Sequence, residues 1–244
     1  MKQGQSILHG GKVRAWNPDD LQSFTPLRFY PPEATGFEGV ALVTDPDVFA
    51  LGDIGQLFQR DLQGKAIWAV PRPGHNGRRD YIATSVMLLD CSKLSHWRFD
   101  RQLDGLFAHR FDYLDWMTLG QEDPATIGLL EPEWNDFDRL TTRTRLLHTT
   151  KRRTQPWKTG LPIDFTLRRS WPVDRLNKLL FRYAPHPDSN QEAFIFSLLA
   201  EMRESGEVTE AELRREMAAN RLRHDSLELI DRYRGWDART ALAA

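Results

Sequence analysis

The sequence has little of several features that mark specialised classes of protein. It contains one cysteine, Cys91, in 244 residues, which excludes an internal disulfide framework and a cysteine-based zinc site and fits a reducing compartment. Its 33 basic and 34 acidic side chains leave a net charge of −1, so no polycation is present to bind nucleic acid or an anionic membrane by charge alone. Its longest apolar stretches are short, such as residues 86–89, and predict no transmembrane segment. Because the start of the chain also has no apolar secretory core, we expect a cytoplasmic protein. From the balanced charge we expect no nucleic-acid partner.

The residues that are present favour a folded α/β protein. Hydrophobic residues make up 40% of the chain, with eight Trp and thirteen Phe, which excludes disorder and supplies a sizeable core. Residues 39–44, 64–71 and 81–90 are apolar runs, and such runs without polar alternation are typical of strands buried on both faces. Residues 53–62 place apolar side chains at helical spacing between the first two strands. Buried strands separated by short helices predict a layered α/β sheet.

The C-terminal part of the chain has a helical pattern. Ser189 and Thr209 each stand three residues before a glutamate and ahead of apolar residues, which is the spacing of a capping box at a helix N-terminus. We therefore predict a first domain over residues 1–165 and a helical C-terminal appendage over residues 166–244.

The most distinctive local feature is an acidic pair around a proline, Asp45-Pro46-Asp47, where the first predicted strand ends. Because strand side chains alternate with a period of two, carboxylates at these positions point the same way, about 7 Å apart along the chain. Two carboxylates at the carboxyl end of a strand suit a hard cation such as Mg²⁺ or Mn²⁺, and ligands collect at that end of an open α/β sheet. The alternative interpretation is a turn that binds no metal.

A catalytic metal needs about three protein ligands, and His148 is the best candidate for the third. It precedes a cluster of four cations, Lys151, Arg152, Arg153 and Lys158. Because those charges need water or an anion, we do not expect a buried core histidine. In the functional interpretation, His148 holds the metal while one of the cations neutralises a diphosphate bound to it. In the alternative, the segment is an exposed loop.

Several landmarks occur in order between Arg28 and Lys158. They are the Arg-containing segment of residues 27–32, the acidic pair with its continuation over residues 43–54, the strand of residues 81–90, and the Tyr-x-Asp, Trp-Asn and His-to-Pro-Trp landmarks at residues 113–115, 134–135 and 148–157. Together they resemble glycosyltransferase family 8, the glycogenin and lipopolysaccharide galactosyltransferase type. The resemblance implies the GT-A nucleotide-diphospho-sugar transferase fold, with a mixed sheet flanked by helices and here a C-terminal helical extension.

The resemblance also implies an activity and a site. The activity is metal-dependent, retaining transfer of a sugar from a nucleotide-diphospho-sugar, UDP-linked by family habit, to a glycan or lipopolysaccharide-type acceptor. Asp45, Asp47 and His148 would bind Mn²⁺ or Mg²⁺, which stabilises the leaving diphosphate as a Lewis acid. Asp115 would be catalytic, near the sugar or the acceptor. The residues implied to bind the nucleotide-sugar are Arg28, Asp45, Ser85, Lys151, Arg152 and Lys158.

The N-terminal part of the sequence departs from the family. Only 27 residues precede Arg28, where the family has about two strands and a helix that form much of the nucleotide pocket. We therefore expect a fold shortened at its nucleotide-binding half. A second hypothesis follows, in which a catalytically impaired relative keeps the sheet for binding or scaffolding. A metal-dependent phosphoesterase would share the acidic pair but would not explain the later landmarks.

Overall fold

The chain forms two compact units, which we describe separately. The computed structural model describes residues 4–17, 23–74, 80–165 and 180–243. The first unit consists of Met1–Asp136 and Arg145–His148, and the second of Phe137–Thr144 and Thr149–Ala244. The predicted boundary at residue 165 separates domains by function, which a division by compactness does not test. It therefore stays a prediction. Residues 166–179, at the start of the predicted appendage, lie outside the described residues.

The first unit is built on a mixed sheet. The strands of the described residues are, in chain order, β1 (Ser6–His9), β2 (Lys12–Ala15), β3 (Val40–Thr44), β4 (Val48–Ala50), β5 (Ile67–Arg72), β6 (Tyr81–Asp90), β7 (Ile127–Leu129), β8 (Asp136–Phe137) and β9 (Leu146–His148). A four-stranded sheet has the order β3-β6-β5-β7, in which β6 is antiparallel to both neighbours and β5 is parallel to β7. A hairpin of β1 and β2 and a smaller sheet of order β4-β9-β8 complete the strands.

Short helices accompany these sheets, and the longest of the described helices lies in the second unit. The α-helices are α1 (Pro31–Ala34), α2 (Gly55–Phe58), α3 (Phe99–Phe107), α4 (Tyr113–Met117), α5 (Ser189–Glu204), α6 (Glu210–Ala218), α7 (Ser226–Arg232) and α8 (Ala238–Ala243). The 3₁₀ helices are Thr25–Phe29, Cys91–Lys93, Pro124–Thr126, Pro132–Asn135, Arg152–Thr154 and Pro156–Lys158. None of the described helices is both long and apolar enough to span a bilayer. The mixed sheets and accompanying helices confirm the predicted α/β class.

Strand β6 organises the core of the first unit. It spans the predicted residues 81–90, and its side chains pack on both faces because they alternate in direction. Met87 and Leu89 belong to a cluster with Trp97, whereas Leu88 on the other face packs in a cluster with Trp68. The apolar run is therefore buried on both sides, as predicted.

Two local predictions differ from the structure. Strand β3 was expected to be buried on both faces, but among the described residues it pairs only with β6, and Val40 and Thr44 are exposed. An apolar run cannot specify how many neighbours a strand acquires, and an edge strand is covered less than a central one. The helix predicted over residues 53–62 shortens to the four residues of α2, in which Leu57 is buried and Phe58 is exposed.

The second unit has its own helical core. Phe196 of α5, Leu213 of α6 and Ile230 of α7 pack together. The capping box predicted at Thr209 is confirmed, since its side chain and that of Glu212 bond reciprocally to the backbone. The cap of α5 was predicted one residue too late: Asp188 precedes the helix, and its carboxylate accepts a hydrogen bond from the amide of Asn190.

Candidate metal centre

The acidic pair lies in the turn that connects β3 to β4. Strand β3 ends at Thr44. The backbone N–H of Val48 donates to the carbonyl of Asp45 at 3.2 Å, and the N–H of Asp45 donates to the carbonyl of Ser85 at 2.9 Å. The alternation argument for a continuing strand therefore does not apply, and the two carboxylates are brought together by the turn. The sequence suggested either a turn or a metal site at this segment. The structure shows a turn whose two carboxylates can also bind a metal.

The pairing of β4 with β9 brings His148 to this turn. The antiparallel register places His148 opposite Val48, the residue that follows Asp47. Nε2 of His148 lies 3.3 Å from Oδ1 of Asp47 and 3.8 Å from Oδ2 of Asp45. Two ligands at about 2.2 Å from one ion are at most about 4.4 Å apart. The three side chains can therefore share a cation with little rearrangement.

The environment of His148 differs from the prediction, which did not expect a buried histidine. The whole of β9 is buried, and His148 with it. The prediction failed because it assigned the histidine to the cationic segment that follows. The backbone instead places the ring on a strand, and the cations come only after the strand has ended.

A hydrogen-bonded chain of buried polar groups supports the ring. Nδ1 of His148 lies 3.0 Å from Oδ1 of Asn135. Nδ2 of Asn135 donates to Oγ of Ser85 at 2.9 Å. Ser85 is thus linked to the metal candidate through Asn135, whereas its predicted contact with a nucleotide-sugar stays a prediction. In the sequence Asn135 is part of the Trp-Asn landmark, and no role was predicted for it.

Arg28 contacts Asp45, one of the two acidic ligands, directly. Its Nε donates to Oδ1 of Asp45 at 2.7 Å, and its Nη2 bonds to the other carboxylate oxygen. The guanidinium is held from its third side by Oγ1 of Thr84, which accepts from Nη1 at 2.8 Å and donates to the carbonyl of Met117 at 2.8 Å. Both charges are largely shielded from solvent. A bidentate arginine–carboxylate pair of this kind is strongly oriented.

The remaining predicted residues lie outside this cluster of ligand atoms. Asp115 is exposed on α4, two residues before Met117. Lys151 and Arg152 are exposed in the second unit. Lys158, in the same unit, is already engaged, because its Nζ donates to Asp164 at 2.6 Å.

The ion pair of Lys158 is reflected in the pKa values of its neighbours. Burial raises the pKa of the Asp164 carboxyl, but the hydrogen bonds from Lys158 and Tyr183 outweigh it, so that the pKa lies below its ordinary value. Burial and the adjacent Asp164 carboxylate raise the pKa of Tyr183. Lys158 would have to leave this arrangement in order to contact a ligand.

The donor set fits a divalent cation. Among the described residues, the one group of three or more possible ligands is Asp45, Asp47 and His148, whose ligand atoms all lie within 4.8 Å of one another. Two carboxylate oxygens favour Mg²⁺ or Mn²⁺, and an imidazole nitrogen shifts the preference towards a transition metal. Three protein ligands leave coordination positions for a substrate. The cluster is therefore a possible catalytic metal site.

Replacing Arg28 with glutamine is expected to raise the affinity for Mn²⁺ in the absence of nucleotide by about tenfold. A unit charge about 5 Å from a divalent ion opposes binding by about 7 kcal/mol at an effective dielectric of about 20, and solvation and the neighbouring carboxylates reduce that figure several-fold. Calorimetric titration with MnCl₂ measures the change. Arg28→Lys keeps the charge and serves as the matched control. An affinity of Arg28→Gln equal to or below that of the wild type would contradict the expectation.

Comparisons with known proteins reveal only partial similarity. No protein-family profile and no curated protein matches the chain. The apo form of the glycosyltransferase GlyE of Streptococcus pneumoniae TIGR4 is similar at 20% identity and a TM-score of 0.44, over 64% of this chain and 43% of that chain. The apo form of mouse xyloside xylosyltransferase 1 is similar at 16% identity and a TM-score of 0.37, over 53% of this chain and 64% of that chain. The chain thus spans less than half the length of GlyE and less than two thirds of the xylosyltransferase.

Proposed function

We propose that this chain is a divalent-metal-dependent, retaining glycosyltransferase of the family 8 type. It takes a sugar from a nucleotide-diphospho-sugar, UDP-linked, and transfers it to a glycan or lipopolysaccharide-type acceptor. The observation that carries the proposal is the convergence of Asp45 and Asp47 with His148, which follows them by more than a hundred residues in sequence. The ligand atoms of the three side chains lie within 4.8 Å of one another. The ordered landmarks of the sequence place the same three residues in the metal site of that family.

In this function the three residues would hold Mn²⁺ or Mg²⁺ as ligands. The bound cation supplies Lewis-acid stabilisation of the leaving diphosphate. Arg28 keeps the Asp45 carboxylate in one orientation through its bidentate contact. Because the same guanidinium is cationic and close to the ligand atoms, it adds positive charge where a diphosphate binds.

The other assigned residues have roles that the family resemblance implies. Asp115 acts as the catalytic carboxylate near the sugar or acceptor, and its exposure on α4 supports access to substrate. The resemblance assigns Arg28, which contacts Asp45, and Ser85 to the donor. It also assigns Lys151, Arg152 and Lys158 to the nucleotide-sugar; Lys151 and Arg152 are exposed, whereas Lys158 is paired with Asp164.

The competing candidate is a catalytically impaired relative that binds or scaffolds. The bidentate pair favours it, because Arg28 already neutralises Asp45 without any metal. The two candidates differ in one measurable respect: only the enzyme needs the cation in order to bind its donor.

Calorimetric titration with UDP in the presence and absence of Mn²⁺ tests the proposal. We expect Mn²⁺ to raise the UDP affinity of the wild type at least tenfold, and we expect this gain to disappear in Asp47→Ala, because the variant loses one ligand of the cation. Asp100→Ala removes an exposed carboxylate of α3 and is the matched control. A UDP affinity that changes neither with Mn²⁺ nor with the Asp47 substitution would refute the proposed enzyme. The catalytically impaired relative would then be the remaining candidate.

A further inference from the structure

The state of the His148 ring determines whether it can bind a cation. A neutral imidazole carries its proton on either Nδ1 or Nε2, and only the unprotonated nitrogen has a lone pair for a metal. In the structure Nε2 faces Asp47 and Asp45, at 3.3 and 3.8 Å. The proton must therefore be on Nδ1 for His148 to serve as a ligand.

The group that faces Nδ1 is an amide with a defined orientation. Oδ1 of Asn135 lies 3.0 Å from Nδ1 and can only accept a hydrogen bond. Asn135 is 1% exposed and His148 5%, so water does not compete for this contact. A carbonyl oxygen against Nδ1 favours the tautomer that carries a proton there.

Ser85 contacts the other end of the amide. If the amide of Asn135 were turned over, its NH₂ would donate to Nδ1 and the proton of the ring would be on Nε2, facing the acidic pair. In the observed orientation Nδ2 donates to Oγ of Ser85 at 2.9 Å, and Ser85 is itself buried on β6. The backbone carbonyl of Ser85 also accepts the N–H of Asp45 at 2.9 Å. One residue of the central strand thus supports both the turn and the amide.

We propose that Asn135, whose amide oxygen faces Nδ1 of His148 at 3.0 Å, is a positioning residue that keeps a proton on Nδ1 and so presents Nε2 to the cation. The inference rests on the proposed function only in taking Asp45, Asp47 and His148 as a metal site. Partners of this kind on metal-bound histidines typically change metal affinity by 10–100-fold when removed.

The direct test is the tautomer of His148 in the metal-free protein. Long-range ¹H–¹⁵N spectra of protein labelled at histidine distinguish the two tautomers, and His148→Gln assigns the signal. We expect the metal-free wild type to carry a proton on Nδ1, against the amide oxygen of Asn135. A wild-type ring without a proton on Nδ1 would overturn the inference without any variant. This readout needs neither metal nor nucleotide, so it decides the inference even if UDP binding proves independent of Mn²⁺.

Variants test the role of the amide with Mn²⁺ alone as the probe. Asn135→Leu removes the acceptor at similar size, and we expect a mixture of tautomers and an Mn²⁺ affinity lower by 10–100-fold. Asn135→Asp keeps an oxygen acceptor against Nδ1 and should restore the affinity to within about threefold of the wild type. Should Asn135→Leu not fold, Ser85→Ala, which removes the hydrogen-bond partner of the Asn135 NH₂ and so loosens the amide, is expected to lower the affinity by a smaller factor. An unchanged tautomer and affinity in the folded variants would overturn the inference.

Discussion

Substitution of His148 by alanine is expected to weaken Mn²⁺ binding by more than about 100-fold. The side chain is one of the three groups whose ligand atoms lie within 4.8 Å, and removing a direct ligand should cost more than the 10–100-fold typical of groups that only orient a ligand. A hundredfold loss corresponds to about 2.7 kcal/mol of binding free energy. Titration of free Mn²⁺ by electron paramagnetic resonance measures it.

His96→Ala is the matched control for this experiment. His96 is in the same unit but its side chain is exposed and bonds to Glu122, so its removal should leave Mn²⁺ binding unchanged. Because His148 is buried, a thermal melt must establish that the variant folds. Asp47→Asn, which keeps the size of the side chain and removes its charge, provides a second route. Wild-type affinity in both the His148 and the Asp47 variant would exclude the site.

Substitution of Trp97 by alanine is expected to lower the free energy of unfolding of the first unit by about 3–5 kcal/mol. Trp97 is fully buried, its ring lies 4.8 Å from that of Phe29, and its Nε1 donates to Glu122 at 2.7 Å. The substitution leaves a cavity and removes one of the two side-chain hydrogen bonds of Glu122, whose other oxygen lies against His96. Domains are stable by only about 5–15 kcal/mol. Phe29 follows Arg28 on the same 3₁₀ helix, so the loss also loosens the support of the metal site.

Urea unfolding together with hydrogen exchange of the β6 amides measures this loss, because those amides report on the core of the first unit. Leu129→Ala is the control: its side chain is 55% exposed on β7, and surface changes of this kind stay within about 0.5 kcal/mol. A loss below about 1 kcal/mol for Trp97→Ala would mean that the ring does not support the core as described.

The two apolar strands β6 and β3 illustrate how far local pattern predicts the fold. Residues 81–90 form β6 with the predicted bounds, because ten residues of this composition find cover on both faces as a central strand. The predicted run of residues 39–44 has a similar composition, but β3 is an edge strand with two exposed ends. Composition indicates extended structure, whereas the number of neighbours depends on pairing with distant segments.

The candidate site likewise combines features that the sequence predicts with features that only the fold determines. Asp45, Asp47 and His148 could be selected from the sequence because their side chains are the kinds of ligand that divalent cations use. The bidentate contact of Arg28 with Asp45 and the amide of Asn135 against Nδ1 were not predicted. Arginines and asparagines are common, and nothing in their sequence neighbourhood states which partner they meet.

Residue chemistry and local pattern were thus sufficient for the α/β class, the capping box at Thr209 and the identity of the possible metal ligands. The distance between those ligands was decided by the antiparallel register of β4 and β9, which sets His148 opposite Val48. Only the structure shows that the ring is buried with β9 and that its Nδ1 faces the amide of Asn135. Such contacts join segments tens of residues apart, and they arise only when burial of the shared core selects one strand pairing among many.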